Sequence, residues 1–121
     1  MSAKIVRIVG IIAILWNALG VIAYLQYVGV IAGDPPSPGP VMPPLVTGAF
    51  AIGVFGALFG SLGLALLKRW ARPFLWVAMA GLIIDWGWVF ANRTGELALG
   101  LTVLVVTLTL AIIAQRTPHL R

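Results

Sequence analysis

The chain has 121 residues, of which 61% are hydrophobic and only 9% are charged, and its net charge is +5. A soluble domain carries about 25% charged residues because most of its surface faces water, so this composition excludes an ordinary soluble globule. The positive charge does not indicate nucleic-acid binding, because the basic residues stand at the ends of apolar segments and not on one clustered face.

The first apolar segment runs from about residue 5 to residue 31 and is long enough to span a bilayer with some tilt. A signal peptide is the alternative, because Lys4 and Arg7, at the start of the segment, resemble the basic region of a signal sequence. Signal sequences have an apolar region of about 7 to 15 residues, and this segment is much longer. Residues 32–44 then hold six of the eight prolines, which predicts a stiff loop on the outer surface.

Three further segments have the length and composition of membrane spans. The second covers residues 45–67 and carries no charge. A basic turn leads to the third span, at about 73–91, with Pro73 expected at its first helical position, where the missing N–H costs nothing. After a polar turn at residues 92–96, the fourth span covers about 97–114. The polar tail that follows is expected to fray.

The charges predict the topology. Seven of the eight Lys and Arg residues flank the same ends of the four segments, and only Arg93 falls on the other side. The positive-inside rule therefore places both termini in the cytoplasm. Continuous apolar segments favour helices over a membrane β-barrel. The sequence thus predicts an all-α fold, a four-transmembrane-helix bundle forming a single membrane domain over residues 1–121.

Small and polar residues recur at spacings of three and four on two of the helices, which predicts the faces that pack inward. These stripes comprise Gly10, Ala13, Asn17, Gly20, Tyr24 and Tyr27 on the first helix, and Ala78, Gly81, Asp85, Trp88 and Asn92 on the third. Asn17 and Asp85 both lie about 18 Å from the cytoplasmic ends of their helices, at 1.5 Å per residue. We expect the two side chains to meet if the first and third helices touch.

Asp85 has three interpretations. As a structural group, it is a neutral or hydrogen-bonded lock that holds the helices in register. As a functional group, it is a protonatable or cation-binding carboxylate in a transport pathway, because acids inside a membrane are costly and often mark pathways. The third interpretation is that its depth is misjudged, so that it reaches outer water or pairs with Arg93. The candidate pathway residues are Asp85, Asn17, Trp16, Tyr24, Trp86 and Trp88. An interfacial aromatic belt is the simpler explanation for most of the outer aromatic residues.

The second helix is rich in glycine. Gly53, Gly56, Gly60 and Gly63 fall at spacings that allow its backbone to approach a neighbour closely. The neighbour is either another helix of the bundle, which we favour, or a second protomer.

Enzymatic chemistry has little support in the sequence. The chain has no cysteine, and its one histidine, His119, lies outside the apolar segments. No Ser–His set, metal-ligand cluster or phosphate-binding glycine loop is present. We therefore expect no catalytic residue, no bound metal and no cofactor.

The segments LWNALGVIAY and LLKRWARP, together with the proline-bearing loop and the glycine-rich second helix, suggest a family. In these features the chain resembles a group of small four-helix inner-membrane proteins of proteobacteria, some of which carry an automatic sugar-transporter label. The resemblance implies the topology and a bacterial plasma membrane, and it carries over no site residue.

Two functions are expected from these observations. The first is a small transport or permeation protein that uses Asp85 with support from Asn17, and it needs a dimer or larger assembly because one four-helix protomer has a narrow interior. The second is an accessory or structural subunit of a larger membrane complex. In both cases the bilayer is the immediate partner.

Overall fold

The computed structural model describes residues 2–30, 43–92 and 97–121. Within these ranges the chain forms four α-helices and no strand: α1 (Ala3–Tyr27), α2 (Pro44–Ala65), α3 (Ala71–Asn92) and α4 (Leu97–Arg116). Each helix is long and apolar enough to cross a membrane. The all-α four-helix prediction is confirmed, and the chain is a multi-pass membrane protein. Most of the predicted proline loop and the turn containing Arg93 lie outside the described residues.

Local capping explains where α1 begins and ends. Ser2 is the N-cap, and its side chain accepts a hydrogen bond from the Ile5 N–H at 3.2 Å. The helix stops at Tyr27, earlier than the predicted limit at residue 31, because Gly29 takes a left-handed φ of 83°. The N–H groups of Gly29 and Val30 then bond back to carbonyls of the last turn, as in a Schellman motif.

The turn between α2 and α3 has the same hydrogen-bond pattern without a glycine. Leu67 takes the left-handed position, with φ 55°, while the Lys68 N–H bonds to the Gly63 carbonyl at 2.7 Å. A leucine in this conformation is strained by about 1 kcal/mol or more. The third helix begins at Ala71, so Pro73 is not its first residue, although it still lies in the first turn, where an N–H has no intrahelical partner.

The helices pack in chain order. The second helix lies between α1 and α3, and α4 packs on α3. The start of α1, the α2–α3 turn and the end of α4 share one end of the bundle, here called the basic end because seven basic residues lie there: Lys4, Arg7, Lys68, Arg69, Arg72, Arg116 and Arg121. In this half of the bundle, side chains from all four helices form one apolar core, including Val6, Leu64, Leu75 and Leu110.

The tail after α4 is ordered, and the expectation that it would fray is wrong. The Arg69 N–H donates to the Arg121 carbonyl at 2.8 Å, and the Arg121 N–H donates to the Leu67 carbonyl at 3.0 Å. Leu120 is buried in the apolar core of the basic end. The polar composition of the tail did not indicate these contacts, because the tail is held mainly by hydrogen bonds of its backbone and by one leucine side chain.

Arg72 fixes the end of α4 to the start of α3. Its guanidinium donates from Nε to the Ala114 carbonyl at 2.8 Å and from a terminal nitrogen to the Thr117 carbonyl at 2.9 Å. Carbonyls at the end of a helix lack intrahelical donors, so a cation there both satisfies them and complements the helix dipole. The basic end is therefore held together by directed hydrogen bonds as well as by apolar packing.

Candidate functional site

Asn17 lies at the contact between α1 and α2. Its amide nitrogen donates to the Ser61 hydroxyl at 2.7 Å and lies 3.4 Å from the Ala57 carbonyl. The expected meeting of Asn17 with Asp85 does not occur, because α1 packs on α2 and makes no extensive contact with α3. Small residues of both stripes, such as Gly10 of α1 and Gly81 of α3, pack on α2, which has small residues on two of its sides.

The Ser61 hydroxyl links the Asn17 amide to the backbone of α2. Ser61 donates its only proton to the Ala57 carbonyl, one turn back on α2, at 2.7 Å. Its oxygen accepts from the Asn17 amide nitrogen at 2.7 Å. The two side chains and the Ala57 carbonyl thus form one polar network that joins α1 to α2.

A cavity of about 290 Å³ lies beside Asn17, in the half of the bundle away from the basic end. All four helices contribute to its wall, including Trp16 and Ala23 of α1, Val54 of α2, Trp86 of α3 and Val103 of α4. We call it the α1–α4 cavity, because it is partly open between these two helices, which are not packed together there. In a bilayer, this opening faces lipid.

The wall of the α1–α4 cavity is almost entirely apolar. Asn17 supplies its one amide side chain, and the other lining residues are aliphatic, aromatic or glycine. Its volume is near the lower limit of small-molecule sites, which begin at about 300 Å³. An engineered apolar cavity of about 150 Å³ binds benzene, so this one has room for a molecule of about two rings. The arrangement is suited to binding and offers no nucleophile, acid or base.

The other candidate residues are divided between different places. Of the candidate pathway residues, Trp16, Asn17 and Trp86 line the α1–α4 cavity. Tyr24 packs instead on α2, with its ring 5.3 Å from Phe50 and 5.8 Å from Phe55. Trp88 is half-buried and does not line the cavity.

Asp85 is buried, with 2% of its surface exposed, but it does not line the α1–α4 cavity. Its Oδ1 atom has no hydrogen-bond partner among the described residues. Gly81, one turn earlier, packs directly on the backbone of α2 at Ala49 and Gly53. Pairing with Arg93 falls outside the described residues. Asp85 is therefore a buried carboxyl group of α3 that lies outside the α1–α4 cavity.

The four glycines of α2 face α3. A Cβ atom added to Gly53 would lie 2.7 Å from Leu82 Cδ2, and one added to Gly60 would lie 2.5 Å from Leu75 Cγ. Gly56 and Gly63 approach Ala78 and Ala71 in the same way. These glycines therefore serve the packing of α2 on α3 inside the bundle. One of these contacts, between Gly53 and Leu82, forms part of the cavity wall.

Sequence reasoning did not identify Ser61 as the partner of Asn17, and it missed the aliphatic residues of α2 and α4 in the cavity wall. Ser61 had a detectable signal, because it is a polar residue within the small-residue pattern of a span. The aliphatic residues had none, since leucine and valine are equally at home against lipid. Among the described residues, no group of His, Cys, Asp or Glu could hold a metal ion.

Comparisons with protein-family models, with curated proteins and with solved structures give no match for this chain. What the α1–α4 cavity can bind therefore follows from its own size, lining and position.

Proposed function

We propose that this protein binds a small, largely apolar molecule in the α1–α4 cavity, as the binding step of transport or permeation. The observation that carries the proposal is the cavity itself, which is apolar, has room for about two rings and is partly open where the bundle meets lipid. A molecule dissolved in the membrane can enter it without crossing water.

The two halves of the bundle support a binding function in different ways. In the basic half, the apolar core and the docked tail close the interior. In the other half, α1 and α4 leave space between them. A ligand therefore reaches the cavity from the open half, and complete passage through the bundle requires the basic end to open or a second protomer to take part.

We propose that both termini lie in the cytoplasm, and that the membrane is the bacterial plasma membrane that the family resemblance implies. The support is the arrangement of charge: the basic end carries seven of the eight basic residues of the chain. Basic residues of short loops remain on the cytoplasmic side during insertion. In this orientation the α1–α4 cavity lies in the outer half of the membrane.

The test is saturable binding of a two-ring apolar probe, 2-methoxynaphthalene, to the protein in lipid nanodiscs. Trp16 and Trp86 line the cavity, so energy transfer from tryptophan to the probe should report binding. Nanodiscs that carry a membrane-spanning tryptophan peptide in place of the protein measure the transfer that results from simple partition into lipid. We expect a saturable component of probe binding in the nanodiscs that contain the protein, and none in the control.

Two neighbouring substitutions provide a matched pair. Ala23 lines the cavity, and Ala23→Phe should fill it and weaken probe binding by roughly tenfold or more. Ile22 is 44% exposed and does not line the cavity, so Ile22→Phe should leave binding unchanged. Equal binding by both variants would place the probe elsewhere and end the proposal.

An accessory subunit is the second candidate function. The observation favouring it is the same gap, because a transmembrane helix of a larger complex could cover the opening between α1 and α4. Gentle detergent extraction followed by native mass measurement separates the two candidates. Recovery of a stable complex with other proteins supports the accessory function. A monomer or homo-oligomer that still binds the probe supports ligand binding.

A further inference from the structure

The positive charges of the basic end are not balanced by acidic side chains. Among the described residues the one acid is Asp85, which is buried in α3, away from this end. Arg72 bonds to carbonyls of α4 and the tail, whereas the other six basic side chains make no hydrogen bond or ion pair with the described residues. A terminal carboxylate at Arg121 would cancel only one of these charges. The basic end therefore carries a surplus of positive charge that an external anion can neutralise.

Two of these cations are held next to each other by the backbone. The Arg121 N–H donates to the Leu67 carbonyl, and the Arg121 carbonyl accepts from the Arg69 N–H, so Arg121 bonds to the residues on both sides of Lys68. Chain segments paired in this way lie about 5 Å apart, which sets Lys68 beside Arg121. Both side chains are exposed. Like charges in opposite positions destabilise such a pairing, and an anion that contacts both side chains removes the repulsion.

We propose that Lys68 and Arg121 together bind the phosphate of one anionic phospholipid. This inference is independent of the α1–α4 cavity, which lies in the other half of the bundle. Ammonium and guanidinium groups both form charge-assisted hydrogen bonds with phosphate oxygens. The backbone pairing already holds the two residues at a short spacing, so less freedom is lost when the phosphate binds between their side chains.

A row of exposed aromatic rings leads from this pair of cations towards the hydrocarbon. Trp70 follows Lys68 by two positions, and its ring lies 5.7 Å from that of Phe74 in the first turn of α3. The Phe74 ring in turn lies 6.0 Å from that of Phe59, which is further from the basic end, on α2. All three side chains are more than a third exposed. Tryptophan is typical of the headgroup level, and the phenylalanine rings beyond it offer an apolar surface to an acyl chain.

The position of Lys68 favours a lipid over a dissolved phosphate. The residue lies in the short turn between α2 and α3, and both helices are long and apolar enough to cross the membrane. Such a turn lies at the membrane surface, where lipid phosphates are concentrated. Each basic side chain near an anionic surface strengthens attachment by about fivefold, so two acting together give roughly twentyfold.

The experiment measures lipid binding to the detergent-solubilised protein by native mass spectrometry. Phosphatidylglycerol is the anionic probe, and phosphatidylcholine, which has a phosphate but no net charge, is the comparison. We expect one phosphatidylglycerol to bind the wild-type protein about tenfold or more tightly than phosphatidylcholine. The double variant Lys68→Gln/Arg121→Gln should bind the two lipids within about twofold of each other. Lys4→Gln/Arg7→Gln is the matched control, because it removes the same charge from exposed residues of the same end and should keep the preference.

Three results would overturn the proposal. The first is equal binding of the two lipids by the wild-type protein. The second is an equal loss of preference in both double variants, which would assign the attraction to the overall charge of the basic end. The third is displacement of phosphatidylglycerol by an equal concentration of glycerol phosphate, which would indicate a site for dissolved anions. If Lys68→Gln/Arg121→Gln does not fold, Lys68→Gln alone decides, with an expected loss of about fivefold in the preference and a loss below twofold counting against the site.

Discussion

Asn17 and Asp85 show what a single polar residue inside a membrane helix can and cannot reveal. Both residues were expected to be buried, and both are. Their partners could not be read from the sequence, because three helices carry small residues at helical spacing and any two of them could pack together. The pairing was decided by α2, whose small residues cover two sides of the helix and separate α1 from α3.

Asp85→Asn tests whether the acid takes part in ligand binding. The substitution preserves the shape of a side chain that lies outside the α1–α4 cavity. We therefore expect probe binding to stay within about twofold of wild type, a difference of under 1 kcal/mol. The nanodisc assay with 2-methoxynaphthalene measures this. Loss of binding by a folded Asp85→Asn protein would show that the Asp85 carboxyl group takes part in ligand binding. It would thereby support a transport pathway that uses this carboxyl group.

At the scale of the helices, α2 is the element on which the others depend. It packs on α1 through Ala57 and Ser61 and on α3 through its glycines. Without a strong hydrophobic force between helices in lipid, association depends on close van der Waals packing and hydrogen bonds. The sequence predicted this role from the glycine spacing, and it also predicted the approximate limits of the helices.

The exact ends of the helices were less predictable, for reasons that differ from one end to the next. Gly29 gave a usable signal, because glycine is the common residue at the left-handed position after a helix. Leu67 gave none, since leucine is rare in that conformation. Backbone hydrogen bonds from the tail hold Leu67 there, and they join residues far apart in the chain.

Gly60→Ala tests the packing of α2 against α3. A Cβ atom at this position would lie 2.5 Å from Leu75 Cγ, so the helices must move apart or Leu75 must change its rotamer. We expect a loss of about 1–3 kcal/mol in the free energy of unfolding. Unfolding in mixed detergent micelles, followed by circular dichroism, provides the measurement.

Gly48→Ala is the matched control on the same helix. A Cβ atom at Gly48 meets nothing within 4 Å. Alanine has the higher helix propensity, so stability should be unchanged or rise by up to about 1 kcal/mol. Equal destabilisation by both substitutions would show that glycine matters in α2 for a reason other than contact with α3.

For the whole molecule, the basic end is the part that the sequence described least well. Its charges were explained by membrane orientation, and that role does not require any of them to form a specific contact. Arg72 in fact joins α3 to the end of α4 through two hydrogen bonds. Such a contact depends on two carbonyls more than forty positions away in the chain, which no local pattern encodes.

Arg72→Lys tests this connection while keeping the charge. Lysine lacks the planar fork that reaches two carbonyls at once. We expect a loss of about 1–3 kcal/mol in stability and faster tryptic cleavage after Arg116, because the tail is released. Arg69→Lys is the control, since Arg69 is exposed and contributes its backbone to the tail contact. Unchanged cleavage in Arg72→Lys would show that the backbone pairing alone holds the tail.

Because the α1–α4 cavity opens towards lipid, its occupancy depends on the concentration of the ligand in the bilayer. A ligand that arrives from the hydrocarbon responds to its mole fraction in the bilayer, and its concentration in water matters only through partition. The total ligand concentration needed for half-saturation should therefore rise as lipid is added at constant protein. Titrations at different lipid-to-protein ratios should coincide when plotted against ligand per lipid. For this protein, the bilayer acts as a reservoir, and membrane composition would set the supply of ligand.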